Sequence, residues 1–221
     1  MTAAGAAPLR FDACRDPEGI RQATFGIIRR EAEAALAALP GGLRPLAAAA
    51  AYAAGDLAVI PAITGSTDAA ARGGAALLNG APLLVDAEML SRGISRENLP
   101  RASDILCTLG LPGVAGTAAR LGTTRSAAAV EFWKPWLGGA VVAIGNAPTA
   151  LFHLLERLSQ GWPKPALVLG FPVGFTGAAE SKEALAAHAD SLGVPFVTLR
   201  GRRGGTAMAA AVVNALARGA A

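Results

Sequence analysis

The chain has 221 residues, of which 52% are hydrophobic and 16% charged, a balance that excludes a disordered chain, and the length suits one large domain better than two small ones. Twenty Lys and Arg against sixteen Asp and Glu give a formal charge of +4 and a pI near 9.7, but with 5% aromatics and no basic-aromatic interleaving the chain lacks a nucleic-acid track. The longest apolar runs break early, at Gly55-Asp56 and at Asn146, Pro148 and His153, and Met1 to Arg10 has no basic flank before an apolar stretch, so neither a membrane span nor a secretory signal is expected and the cytoplasm is.

Asp16-Pro17-Glu18 opens an amphipathic run, with apolar residues at Ile20, Phe25, Ile27, Ile28, Ala32 and Leu36. It predicts one long helix over Ile20 to Leu39, closed by Pro40-Gly41-Gly42. A second helix, nearly pure alanine around Tyr52, covers Leu46 to Ala54 and ends at Gly55. A third covers 66–79, capped by Ser66 or Thr67 with Asp68 in its first turn, and Asn79-Gly80 closes it. Short apolar runs alternating with helical patterns then predict five strands: Pro82–Val85, Ile105–Leu109, Ala140–Ile144, Ala166–Leu169 and Phe196–Leu199. Helices are expected over 123–133, 149–159 and 178–191. The whole reads as a single α/β domain over 1–221, a mainly parallel sheet flanked by helices on both faces behind an N-terminal helical segment.

Ligands of open parallel sheets collect in the loops at the carboxyl ends of the strands. Gly201-Arg-Arg-Gly204-Gly205-Thr206 leaves a strand and opens a helix, which suits either an anion or a plain glycine turn beside solvated arginines. It has neither Walker nor dinucleotide-binding spacing. Asn146 can cap the following helix with Pro148 in the first turn. Asp86 and Glu88 serve either as an acid and base pair or as a complement to a helix N-terminus. His153, among Leu151, Phe152, Leu154 and Leu155, and His188, in an alanine-rich helix, read as structural. Cys14 and Cys107, far apart, read as reduced thiols, and no metal site is expected. Residue spacing thus leads to an anion-binding α/β enzyme. An unrelated sugar-phosphate enzyme using the Gly201–Thr206 turn is a weaker alternative.

Four long strings carry more: Gly80-Ala-Pro-Leu-Leu-Val-Asp-Ala-Glu-Met89, Ile144-Gly-Asn-Ala-Pro-Thr-Ala-Leu-Phe152, Leu169 through Lys182, and Arg200-Gly-Arg-Arg-Gly-Gly-Thr-Ala-Met208. With Leu106-Cys-Thr108-Leu109 and Thr123-Thr-Arg125-Ser-Ala-Ala128 they resemble the precorrin-8X methylmutase family of cobalamin biosynthesis, from about Phe11 to Leu216. The resemblance implies a homodimeric, cofactor-free isomerase with its pocket near the subunit interface. It moves a methyl group between neighbouring ring carbons of a corrinoid precursor, giving hydrogenobyrinate. The substrate is a polycarboxylate macrocycle, for which arginine forks are suited anchors. The site it implies has Thr24 and Thr108 as hydroxyl contacts, Asn146 in the substrate loop, and Arg125, Arg200 and Arg202 on carboxylates.

One position departs. The family's proposed proton donor is a histidine in a His-Ala-x-Gly string, and here the string reads Tyr52-Ala53-Ala54-Gly55. Reference pKa values of about 6.5 for imidazole and about 10 for a phenol make the donor weaker by roughly 5 kcal/mol. With half of that expressed in the barrier, the rate falls roughly 50- to 100-fold. A slow mutase and a paralogue that only binds a corrinoid intermediate are the two outcomes this permits.

Overall fold

Six short strands form one sheet, and five of them are apolar on both faces, as strands covered by helices on each side must be. They are β1 (Ile63–Gly65), β2 (Leu83–Val85), β3 (Ile105–Cys107), β4 (Val141–Ile144), β5 (Leu167–Gly170) and β6 (Phe196–Leu199). The order across the sheet is β1-β6-β5-β4-β2-β3, parallel throughout except for β1, which pairs antiparallel with β6 through Ile63 opposite Leu199. The computed structural model describes residues 15–219, so Cys14 and the start of the resemblance at Phe11 lie outside it.

Alternation along the strands divides the core. Leu83, Val85, Val141, Ala143, Leu167, Leu169, Val197 and Leu199 face one helical layer. Leu84, Val142, Ile144 and Val168 face the other. The first layer holds α1 (Pro17–Glu31), α2 (Glu33–Ala37), α3 (Arg44–Ala54), α4 (Ala69–Leu78), α5 (Glu88–Gly93) and α10 (Thr206–Ala217). The second is built on α8 (Pro148–Ser159) and α9 (Ala178–Leu192), with α6 (Val114–Leu121) and α7 (Arg125–Val130) in a smaller cluster beside it. Ala47 to Ala51 of α3 are all buried against the first layer, where small side chains let helix backbones approach closely.

Several expectations need correction. The helix over Ile20 to Leu39 is broken at Ala32, whose φ of −110° and ψ of 20° separate α1 from α2. The third helix starts at Ala69, not 66, because Ser66, just past β1, is held to β6: its N–H donates to the Phe196 carbonyl and its hydroxyl accepts from the Phe196 N–H. The helix over 123–133 is the shorter α7 followed by a 3-10 turn, Glu131–Trp133. β1, α5 and α6 were not anticipated. β1 is three residues long and follows a 3-10 turn containing Pro61, so it offers no alternation to read.

Candidate active site

From β2 the chain order moves to β3 on one side and to β4, β5 and β6 on the other, which puts the crevice of this sheet between the ends of β2 and β4. Asp86 fills it. Only 3% exposed, it accepts the N–H of Gly145 at 2.9 Å on Oδ1, and those of Asn146 at 2.9 Å and Ala147 at 2.7 Å on Oδ2. Burial pushes its carboxyl above the usual carboxylate range, and the three N–H groups act against that shift. Of the two roles open to Asp86, the geometry is that of a complement to the backbone ahead of α8. The Asn146 cap is corrected by the same contacts, since Ala147 is the N-cap of α8 and the carboxylate that meets the backbone there is that of Asp86. Pro148 opens the helix as expected. The side chain of Asn146 is exposed.

Tyr52 lies near the end of α3 and stacks on Phe25 of α1, with ring centroids 5.3 Å apart and planes 14° from parallel. It is 47% exposed. Thr24, one residue before Phe25, donates its hydroxyl hydrogen to the Ile20 carbonyl at 2.7 Å and keeps only lone pairs for a ligand. α1 and α3 thus bring Phe25, the chain neighbour of Thr24, onto Tyr52. Phe25 also borders a groove of about 570 Å³ that continues to Arg218, at the far end of α10 from the arginine loop.

The loop after β6 sorts its arginines. Arg203 is engaged at the surface, pairing with Asp56 at 2.5 Å and donating to the Ala58 carbonyl at 2.8 Å. That ties the loop to the segment four residues beyond Tyr52. Arg200 and Arg202 stay exposed, Arg202 over the ring of Phe175 at 5.4 Å, and Phe175 is itself 84% exposed.

At the other side of the sheet Thr108 follows β3. It is 4% exposed, donates to the Ala129 carbonyl at 2.8 Å, and borders a cavity of about 280 Å³ with Glu88, Ser91, Cys107, Leu111 and Trp136. Arg125 opens α7, whose N-cap Thr124 accepts from the Ala127 N–H, and its guanidinium donates to the Leu109 carbonyl at 3.3 Å. The implied site residues therefore fall on two sides: Arg200 and Arg202 after β6, with Tyr52 four residues before the Asp56 that Arg203 pairs with, and Thr108 with Arg125 beside β3. Four strand spacings separate β6 from β3, about 19 Å. This suits a wide, flat ligand lying across the strand ends.

A further set of titratable groups lies away from these residues, around His153. His153 meets Glu131 at 2.6 Å, and Arg157 donates to the same oxygen at 2.6 Å. Burial raises the Glu131 carboxyl, but these two donors outweigh it and bring it below its ordinary value. Burial pushes the Cys107 thiol up to about 11, which leaves it a poor nucleophile. Two contributors escaped notice in the sequence, Asp56 and Lys182. Lys182 did leave a signal, because it falls on the buried face of α9 with Ala178, Leu185 and Ala189.

Comparison with known proteins agrees with this architecture. Residues 19–219 match the family model described as CbiC, precorrin-8X methylmutase. A precorrin-8X methylmutase of Pseudomonas aeruginosa is 55% identical over 94% of this chain and 98% of its own, and one of Sinorhizobium sp. is 50% identical over 94% and 97%. A crystal structure described as precorrin-8x methyl mutase from Thermus thermophilus superposes with a TM-score of 0.78 at 34% identity, covering 90% of this chain and 96% of that one. With its sheet, both helical layers and nearly its full length matched, the chain belongs to the precorrin-8X methylmutase family, isomerases of cobalamin biosynthesis.

Proposed function

We propose that this chain converts precorrin-8X to hydrogenobyrinate by an acid-assisted methyl shift on ring C. What carries this is the match over residues 19–219, which takes in every strand and both groups of site residues. The names of the relatives at 50% identity and above favour the cobalt-free macrocycle. The macrocycle lies across the ends of the strands. Arg200 and Arg202 take carboxylates at one side and Arg125 at the other, while Thr24, Thr108 and Asn146 offer polar contacts between them.

Tyr52 donates a hydrogen bond or proton to a ring nitrogen as the methyl leaves one ring carbon for its neighbour. The proton returns to the phenolate afterwards. The product is an isomer of the substrate, so the balance requires no cofactor. The protein acts in the cytoplasm as a homodimer, a state supported by Ile20 and Ile27, which α1 leaves exposed. The test is a turnover assay following the absorbance change from precorrin-8X to hydrogenobyrinate, run beside a binding titration with the product. Conversion by the wild-type chain supports the mutase. Tight binding with no conversion would make it a corrinoid-binding paralogue instead.

A further inference from the structure

Lysine is rarely buried, because its ammonium group loses hydration that few interiors replace. Lys182 of α9 is 1% exposed. Its Nζ donates to the carbonyl of Arg203 at 2.5 Å, and burial lowers its pKa to about 8. An apolar side chain of similar length would fill this space without the cost of desolvating a charge. What Lys182 supplies in addition is a donor aimed at one carbonyl, in the middle of the arginine loop.

That loop is laced onto the one after β5. The Gly205 N–H donates to the Phe171 carbonyl at 2.8 Å, and the Gly174 N–H to the Arg202 carbonyl at 3.2 Å. The fit is close: a Cβ on Gly204 would lie only 2.4 Å from the Phe171 oxygen and 2.6 Å from that of Pro172. The Arg203 side chain ties the same loop to Asp56 and Ala58. Lys182 thus fixes the backbone of Arg203, directly between the segment that presents Arg200 and Arg202 and the start of α10.

We infer that Lys182 is a positioning residue for substrate binding, holding the Arg200–Gly205 loop where Arg200 and Arg202 meet the carboxylates of the macrocycle. This rests on the proposed role of those two arginines.

The test is Lys182→Met in the full chain, measured for hydrogenobyrinate affinity, KM, kcat and Tm. Affinity is expected to weaken and KM to rise about tenfold, the size of a partly lost charged contact. The expected change in kcat is under twofold, and Tm is unchanged or higher. In a chain that already carries Arg200→Ala and Arg202→Ala, Lys182→Met should have no further effect on affinity, because it acts through those side chains. A folded Lys182→Met protein with affinity and KM within twofold of wild type overturns the inference. So does a loss of kcat at constant KM, or full additivity with the arginine changes. If the double arginine variant itself binds as well as wild type, the carboxylate-anchor assignment fails first and takes this role with it. Should Lys182→Met not fold, Lys182→Gln carries the same comparison.

Discussion

In the proposed mechanism the phenol at position 52 is a weaker donor than an imidazole, and the ring leaves the position accessible, since it is stacked on Phe25 with its outer half open. Tyr52→His is expected to raise kcat roughly 50- to 100-fold at neutral pH, the reverse of the loss set by the two reference pKa values. Tyr52→Phe keeps the stack and removes the proton, so kcat should fall roughly 100-fold or more while Tm moves little. Both are read in the turnover assay. Lys182 makes a different kind of prediction. In the unfolded chain it carries its proton up to about 10.5, whereas in the fold it gives it up near 8. Between these values the unfolded state binds more protons, so stability rises with pH, by roughly 3 kcal/mol across the window. Cys107, raised from 9 to about 11, works in the opposite sense above pH 9. Subtracting the denaturation profile of Lys182→Met from that of wild type isolates the lysine, and a flat difference between pH 7.5 and 10.5 contradicts its buried ammonium.

Among the elements, the tie between β2 and α8 is the one to cut. Asp86→Ala leaves the N–H groups of Gly145, Asn146 and Ala147 without their carboxylate, which should cost about 3 kcal/mol in chemical denaturation. Gly145→Ala strains the same loop from the other side, because a Cβ there would sit 2.8 Å from the Cα of Thr206. The strands themselves were legible in the sequence. β2, β4, β5 and β6 are buried along their whole length and appear as apolar runs, interrupted only by Thr198 in β6, and the expected ends fall within a residue or two. Where apolar patterning continues through a change of backbone direction, legibility stops. Ala32 fits the helical period on both sides of the break, and α6 is framed by glycines at 113, 116 and 122 that hide a short helix.

For the molecule as a whole, the proposed homodimer has a direct readout in solution. Light scattering is expected to give twice the 22.1 kDa of one chain, and Ile27→Asp on the exposed face of α1 should shift that mass toward the single chain. An unchanged dimer in that variant would place the interface elsewhere. Leu169 lies fully buried in the apolar layer on the α3 and α10 side of the sheet, so Leu169→Ala should cost roughly 2 to 5 kcal/mol in chemical denaturation.

By itself the sequence determined the alternation of strand and helix, the two-sided burial of the sheet and the long strings that mark the family, because each is written in residues close together along the chain. Only the tertiary structure decided that Arg203 pairs with Asp56 while Arg200 and Arg202 stay exposed without an ion pair among the described residues, that Asp86 serves a backbone loop, and that a lysine lies buried beneath the arginine loop. These depend on carbonyl and amide groups delivered from elsewhere in the fold, and local spacing carries no record of where a distant main chain will come to rest.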